Sequence, residues 1–194
     1  EDDYDSEFRL TGRPIPTMMG IDVSGRVIYM NTFSKTLTPT IRISYMVLPE
    51  KLVQVFQQQL GFYNCTVSNF EQYTLARFIK DGHFEKHINR MRNCYRKRRE
   101  ALLQAMKDGE LFARADIIER GSGLHFLLRF HTEKDDKALQ AELEAKGIRM
   151  RPLRDYYAGE AEDAAHIFVL NYSGLSADPE VIHLAVARLA DCLS

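Results

Sequence analysis

The chain has 194 residues, 45% of them apolar and 27% charged, the profile of a globular, core-forming chain rather than a disordered one. A net charge of -1 supplies no excess basic field, so neither nucleic acid nor an anionic membrane is expected as a direct partner. Cys65, Cys94 and Cys192 are odd in number and far apart, no apolar run reaches the length of a membrane span, and no signal peptide is evident. Reduced thiols in a cytoplasmic protein are the expectation.

The chain opens on Glu1-Asp2-Asp3-Tyr4-Asp5 rather than on Met, as a piece of a longer protein would. Residues 1–20 are polar and broken by Gly12-Arg13-Pro14-Ile15-Pro16, so they read as loop. After a turn at Gly25-Arg26, Val27 to Met30 is short, apolar and β-branched, which suits a buried strand. Thr32 to Pro39 reads as loop, and Ile41 to Leu48 as a second strand stopped by Pro49.

Pro49-Glu50 then starts a helix with Leu52, Val53, Phe56 and Leu60 at helical spacing, followed by a break at Gly61 to Thr66. A second helix is predicted from Ser68 or Asn69 to about Lys80, with Glu71 as a capping-type acid and Gly82 as its end. A long helix follows from His83 to about Met106, with Phe84, Ile88, Met91, Tyr95, Leu102 and Met106 along one side. Residues 111–118 and 124–130 read as strands joined through Gly121 and Gly123, and 134–146 as a helix with Gly147 just past its end. Ile148 to Met150 and Ile167 to Tyr172 are short predicted strands, and 178–193 a final helix started by Asp178-Pro179. The whole is α/β, with a boundary near residue 95 inside the long helix that divides 1–95 from 96–194.

The residues with chemistry to offer are Thr32-Phe33-Ser34-Lys35, followed seven residues later by Arg42. Two hydroxyls and a guanidinium beside a lysine make a cradle for a phosphate, and a lysine just past a strand end can be presented to a crevice as a nucleophile. Asp2 and Tyr4 add a carboxylate and a phenol, the pair that a pyridine-aldehyde cofactor needs at its ring nitrogen and ring oxygen. Taken singly, each of these residues is more often an ordinary solvated side chain. Order and spacing together argue for the site.

Glu1 to Arg9, Tyr29 to Leu37 and Ile41 to Tyr45 resemble the fold-type I aminotransferases. Within these they are most similar to the aminotransferase-like domain of MocR/GabR-type regulators of the GntR superfamily. Gly82-His83-Phe84, the His87 to Arg92 and Tyr95 to Arg99 runs, Gly147-Ile148-Arg149 and Leu170-Asn171-Tyr172-Ser173 extend the resemblance over nearly the whole chain. It implies the C-terminal part of a pyridoxal-phosphate-dependent transferase fold: part of the large-domain sheet, a linking helix and a small α/β lobe.

The resemblance also implies roles. Lys35 would form a Schiff base with pyridoxal 5'-phosphate (PLP), Asp2 would face the pyridinium nitrogen, and Tyr4 would bond the ring oxygen. Arg42, Thr32 and Ser34 would bind the phosphate. An amino-compound effector would displace the lysine, DNA would be reached only through an N-terminal winged-helix domain outside this chain, and the unit would be a homodimer. The alternative is a PLP-dependent aminotransferase acting on an amino acid and a 2-oxo acid.

Two departures qualify the expected activity. Further cofactor contacts of the family lie upstream of Glu1, so this stretch alone is expected to be inactive. The carboxylate-binding arginine usual just before a Leu170-Asn171-Tyr172-Ser173 motif is replaced by Val169, which leaves Arg151 or Arg154 to bind a substrate carboxylate. His83 and His87 have metal-compatible spacing without a third ligand, and the Arg90 to Arg99 run reads as a solvated basic face, so no metal is expected.

Overall fold

The computed structural model describes every residue except Tyr4, 11–14, 119–122, Glu160, Ala177 and Ser194. It is α/β, as expected, and divides into two compact units, Glu1–Met91 and Arg92–Ser194.

In the first unit, β1 (Asp2–Asp3) runs parallel to β2 (Tyr29–Thr32), and β2 pairs antiparallel with β3 (Ser44–Val47). The segment expected as loop over 1–20 therefore contributes a strand, a 3-10 turn at Ser6–Phe8 and a helical turn, α1 (Met18–Ile21). Two acids carry no local β signal. The pairing is tertiary, with the Glu1 amino group on the Ile28 carbonyl at 2.9 Å and the Met30 amide on the Glu1 carbonyl at 2.9 Å.

The strand predicted over Val27 to Met30 lies two residues later because Asp22 takes the Val27 amide out of the ladder. Its carboxylate accepts from the amides of Ser24 (2.8 Å), Arg26 and Val27 (2.9 Å) around Gly25, whose φ is +60°. Thr32 to Pro39, expected as loop, opens with a helical turn, α2 (Phe33–Thr36), which Thr32 N-caps.

Helices α3 (Glu50–Leu60) and α4 (Asn69–Lys80) match their predicted bounds, and α5 (His83–Asp108) begins after Gly82, where φ is +72°. No residue of α3 or α4 is buried. Among the described residues of this unit, Phe8, Ile43, Pro49 and Ile88 are the buried apolar ones.

The second unit is built on a four-stranded antiparallel sheet in the order β4 (Ala115–Ile118), β5 (His125–Phe130), β7 (Ile167–Asn171), β6 (Arg151–Pro152). Alternation along β5 turns Phe126, Leu128 and Phe130 inward, and Phe168 of β7 joins them. Leu102 and Met106 of α5, Leu139 and Leu143 of α7 (Asp136–Ala145) and Ile182, Val186 and Leu189 of α8 (Pro179–Asp191) complete the core. Each such side chain contributes roughly 1.5–3 kcal/mol of burial.

The predicted strand over 111–118 begins instead with a helical turn, α6 (Leu111–Arg114). It is held by the Arg114–Glu110 ion pair at 2.8 Å and by Arg114 Nη1 on the Ala190 carbonyl at 2.8 Å. The strand predicted over Ile148 to Met150 lies instead at Arg151–Pro152, because Ile148 still belongs to the end of α7. The Ile148 amide donates to Leu143 at 2.8 Å and the Gly147 amide to Glu144 at 3.0 Å, with Gly147 at φ +79°. Asp178 caps α8 through the Glu180 amide at 3.0 Å. No helix among the described residues is long and apolar enough to cross a membrane.

Candidate functional site

Because β1 and β2 are parallel, their carboxyl ends emerge at the same edge of the sheet, the position where α/β folds place ligands. The register sets Asp2 beside Met30 and Asp3 beside Asn31. Register-matched residues of parallel strands share a face and successive residues alternate. Asp2, Met30 and Thr32 therefore lie on one face, and Asp3, Tyr29 and Asn31 on the other.

The two neighbouring acids are thereby given different work. Asp3 Oδ2 accepts from the Tyr29 phenol at 2.9 Å and from Ser6 Oγ at 2.8 Å. The buried Asn31 amide donates to the Tyr29 oxygen at 3.0 Å and to Glu7 Oε1 at 3.4 Å. Burial, reinforced by the Asp3 carboxylate that accepts its proton, holds the Tyr29 phenol well above its usual range. Asp2 is exposed on the opposite face. Tyr4, expected to reach the ring oxygen, lies outside the described residues.

Past the end of β2, the three expected phosphate ligands converge. Thr32 Oγ1 accepts from the Ser34 amide at 3.3 Å and lies 3.3 Å from both Ser34 Oγ and the Ile43 carbonyl. Ser34 Oγ donates to the Ile41 carbonyl at 2.9 Å, and Arg42 Nη1 donates to Ser34 Oγ at 3.3 Å. The structure thus brings Thr32, Ser34 and Arg42 into one cluster. Two hydroxyls beside a guanidinium form a donor set suited to a phosphate monoester. Lys35 is the third residue of α2, between Ser34 and Thr36, and its side chain is exposed.

Sequence reasoning missed one contact. His87 of α5 reaches the Thr36 carbonyl with Nε2 at 3.0 Å. The signal available was its position on the inward side of the helix, one residue before the buried Ile88. The Arg90 to Arg99 run is partly spoken for within the second unit. Arg98 donates to the Ser173 carbonyl and lies over the Tyr95 ring, and Arg99 lies over the Phe126 ring.

Arg151 and Arg154 belong to the second unit and differ in their engagements. Arg154 Nε lies 3.2 Å from Oδ2 of Asp136, a buried carboxylate whose Oδ1 accepts from the His166 amide at 3.0 Å. Arg151 is exposed and has no ion-pair partner among the described residues. Its register partner across the sheet is Val169, so the two side chains share a face.

No protein-family model matches the chain. Over 190 residues it is 40% identical to the HTH-type transcriptional regulator YhdI of Bacillus subtilis, covering 97% of this chain and 39% of that protein. It is 36% identical over 190 residues to the probable rhizopine catabolism regulatory protein MocR of Rhizobium meliloti, covering 97% of this chain and 37% of that protein. The chain thus spans well under half the length of these relatives. Among solved structures it is similar to Pyrococcus horikoshii kynurenine aminotransferase, solved in complex with PMP. The TM-score is 0.81 at 29% identity, covering 100% of this chain and 46% of that one.

Proposed function

Since this chain belongs to the MocR-type family of helix-turn-helix transcriptional regulators and has an aminotransferase-like fold, we propose that it is part of a cytoplasmic, homodimeric sensor. In that sensor Lys35 holds pyridoxal 5'-phosphate, and the ligand sensed is an amino compound. When bound, the cofactor supplies an aldehyde that condenses with primary amines and a ring that withdraws electrons. Lys35 offers the amine, on an exposed side chain that an incoming aldehyde can reach. Thr32, Ser34 and Arg42 bind the phosphate, and the Asp2 carboxylate keeps a proton on the pyridine nitrogen. DNA contact belongs to a winged-helix domain outside this chain.

The observation that supports the reading is the convergence of Thr32, Ser34 and Arg42, with Ser34 the residue before Lys35 in the chain. An absorbance titration of the full-length protein with PLP tests it. A new visible band is expected, lost in Lys35→Ala, and Arg42→Met should weaken PLP binding by about tenfold or more, the size of one charge-assisted hydrogen bond. Equal spectra in the wild type and Lys35→Ala would end the assignment. A monodisperse monomer by light scattering would remove the homodimer.

A second reading, an aminotransferase acting on an amino acid and a 2-oxo acid, draws on the likeness to the kynurenine aminotransferase. The two separate on turnover. A sensor reacts about once per site with an amino compound, whereas an enzyme given both substrates releases product continuously.

A further inference from the structure

We propose that His87 is a positioning residue for the Lys35 amine: its Nε2–H clamps the carbonyl of Thr36 and thereby fixes the turn that presents the lysine. The inference rests on the reading of Lys35 as the cofactor-bearing residue.

The turn needs an outside support. α2 spans four residues, and a single helical turn is costly to nucleate and does not stand alone. Its start is held twice: Thr32 caps the Ser34 amide at 3.3 Å, and the Phe33 amide donates to the Ile43 carbonyl at 3.0 Å. Its end carries carbonyls that have no partner inside so short a helix. His87, 51 residues away in sequence, supplies one at 3.0 Å.

The geometry also settles the state of the ring. A carbonyl can only accept, so Nε2 is the donor there, and a guanidinium can only donate, so Nδ1 offers its lone pair to Arg90. That lone pair faces Arg90 Nη2, which donates to it at 3.3 Å. Arg90 therefore selects the tautomer that the clamp requires. Packing reinforces the contact: the Phe33 ring meets the Phe84 ring edge-on, with centroids 5.9 Å apart, Thr36 is 2% exposed and Ile88 is 5% exposed.

Lys35 is exposed and has no hydrogen-bond partner among the described residues, so nothing at the tip of its side chain directs it. Its direction is set by the backbone of the turn, which His87 holds at the residue after it. This gives the helix face carrying His87 a role tied to the site, through hydrogen-bond direction rather than through charge or metal ligation.

The test uses the full-length protein and three variants. His87→Leu keeps volume and removes the donor, His87→Gln keeps an N–H donor at similar reach, and Arg90→Met removes the tautomer-setting group from an exposed position. Amide hydrogen exchange over residues 33–37 is read in each, together with PLP half-saturation by absorbance. His87→Leu should speed exchange in that segment by about tenfold and raise the half-saturation point by about tenfold. His87→Gln should recover most of both, and Arg90→Met should show a smaller change in the same direction. A merely structural histidine would accelerate exchange throughout the first unit alike, and Gln would not rescue it.

Wild-type values for both readouts in His87→Leu overturn the proposal. If that variant does not fold, wild-type values in Arg90→Met overturn it instead. Persistence of the PLP band in Lys35→Ala would defeat the reading of the site, while the exchange comparison would still decide whether the clamp exists.

Discussion

The two units of this chain bury their apolar residues very differently. The second packs a four-stranded sheet under α7 and α8, with Phe168 and Leu128 wholly enclosed. The first encloses Phe8 but leaves Phe70 79% exposed, Tyr73 77% and Phe62 73%, and offers two helices with no buried residue. Contiguous exposed apolar surface is commonly covered by other protein. The chain spans 39% of YhdI and 46% of the kynurenine aminotransferase, so in such proteins there is more chain to do the covering. The unit with fewer buried side chains is also the one that holds Lys35, the residue proposed to carry the cofactor.

The contrast can be broken by mutation, beginning with the largest expected effect. Phe168→Ala, in the second unit, should cost about 3–5 kcal/mol in denaturant unfolding. Phe70→Ser, in the first, should stay within about 0.5 kcal/mol and improve solubility. Comparable losses from both would erase the distinction.

Asp136→Ala comes next. It removes the buried acceptor shared by Arg154 and the His166 amide, and a loss of about 1–3 kcal/mol is expected by the same measurement. Gly147→Ala should cost about 1–2 kcal/mol, since the α7 terminus needs φ +79° there. A neutral result would mean that the helix ends without that left-handed residue.

The smallest effect concerns the first unit. Three amides and the Ser24 hydroxyl donate to Asp22, led by the hydroxyl, and hold its carboxyl well below the usual carboxylate range. A depressed folded-state value means that the stabilisation is complete above the ordinary carboxylate range and is lost as pH falls through the acid range. Asp22→Asn should therefore lower stability at neutral pH and flatten its decline toward acid, read from melting temperatures across pH. An unchanged slope would show that the Asp22 turn is not coupled to folding.

How much was legible depends on how local each signal was. Helices α4, α5, α7 and α8 announced themselves through apolar periodicity, Gly82, Gly147 and the Asp178-Pro179 start, all written within a few residues. β1 was invisible, because Asp2 and Asp3 become a strand only by pairing with Met30 and Asn31. The same division runs through the site. The grouping of Thr32, Ser34 and Arg42 followed from spacing along one hairpin, whereas the hold of His87 on Thr36 joins segments that no local pattern connects. The separate duties of Asp2 and Asp3 likewise needed the register before they could be told apart.

That register has a consequence for how the first strand is kept in place. Two carboxylates in succession look interchangeable, yet a slip of β1 by one position would carry each to the opposite side of the sheet. In the slip that sets Asp3 beside Met30, the phenol of Tyr29 would lose the carboxylate oxygen that accepts its hydrogen bond. That mispairing is penalised in the half-buried layer, so the outer carboxylate is held in position by the bond of the inner one.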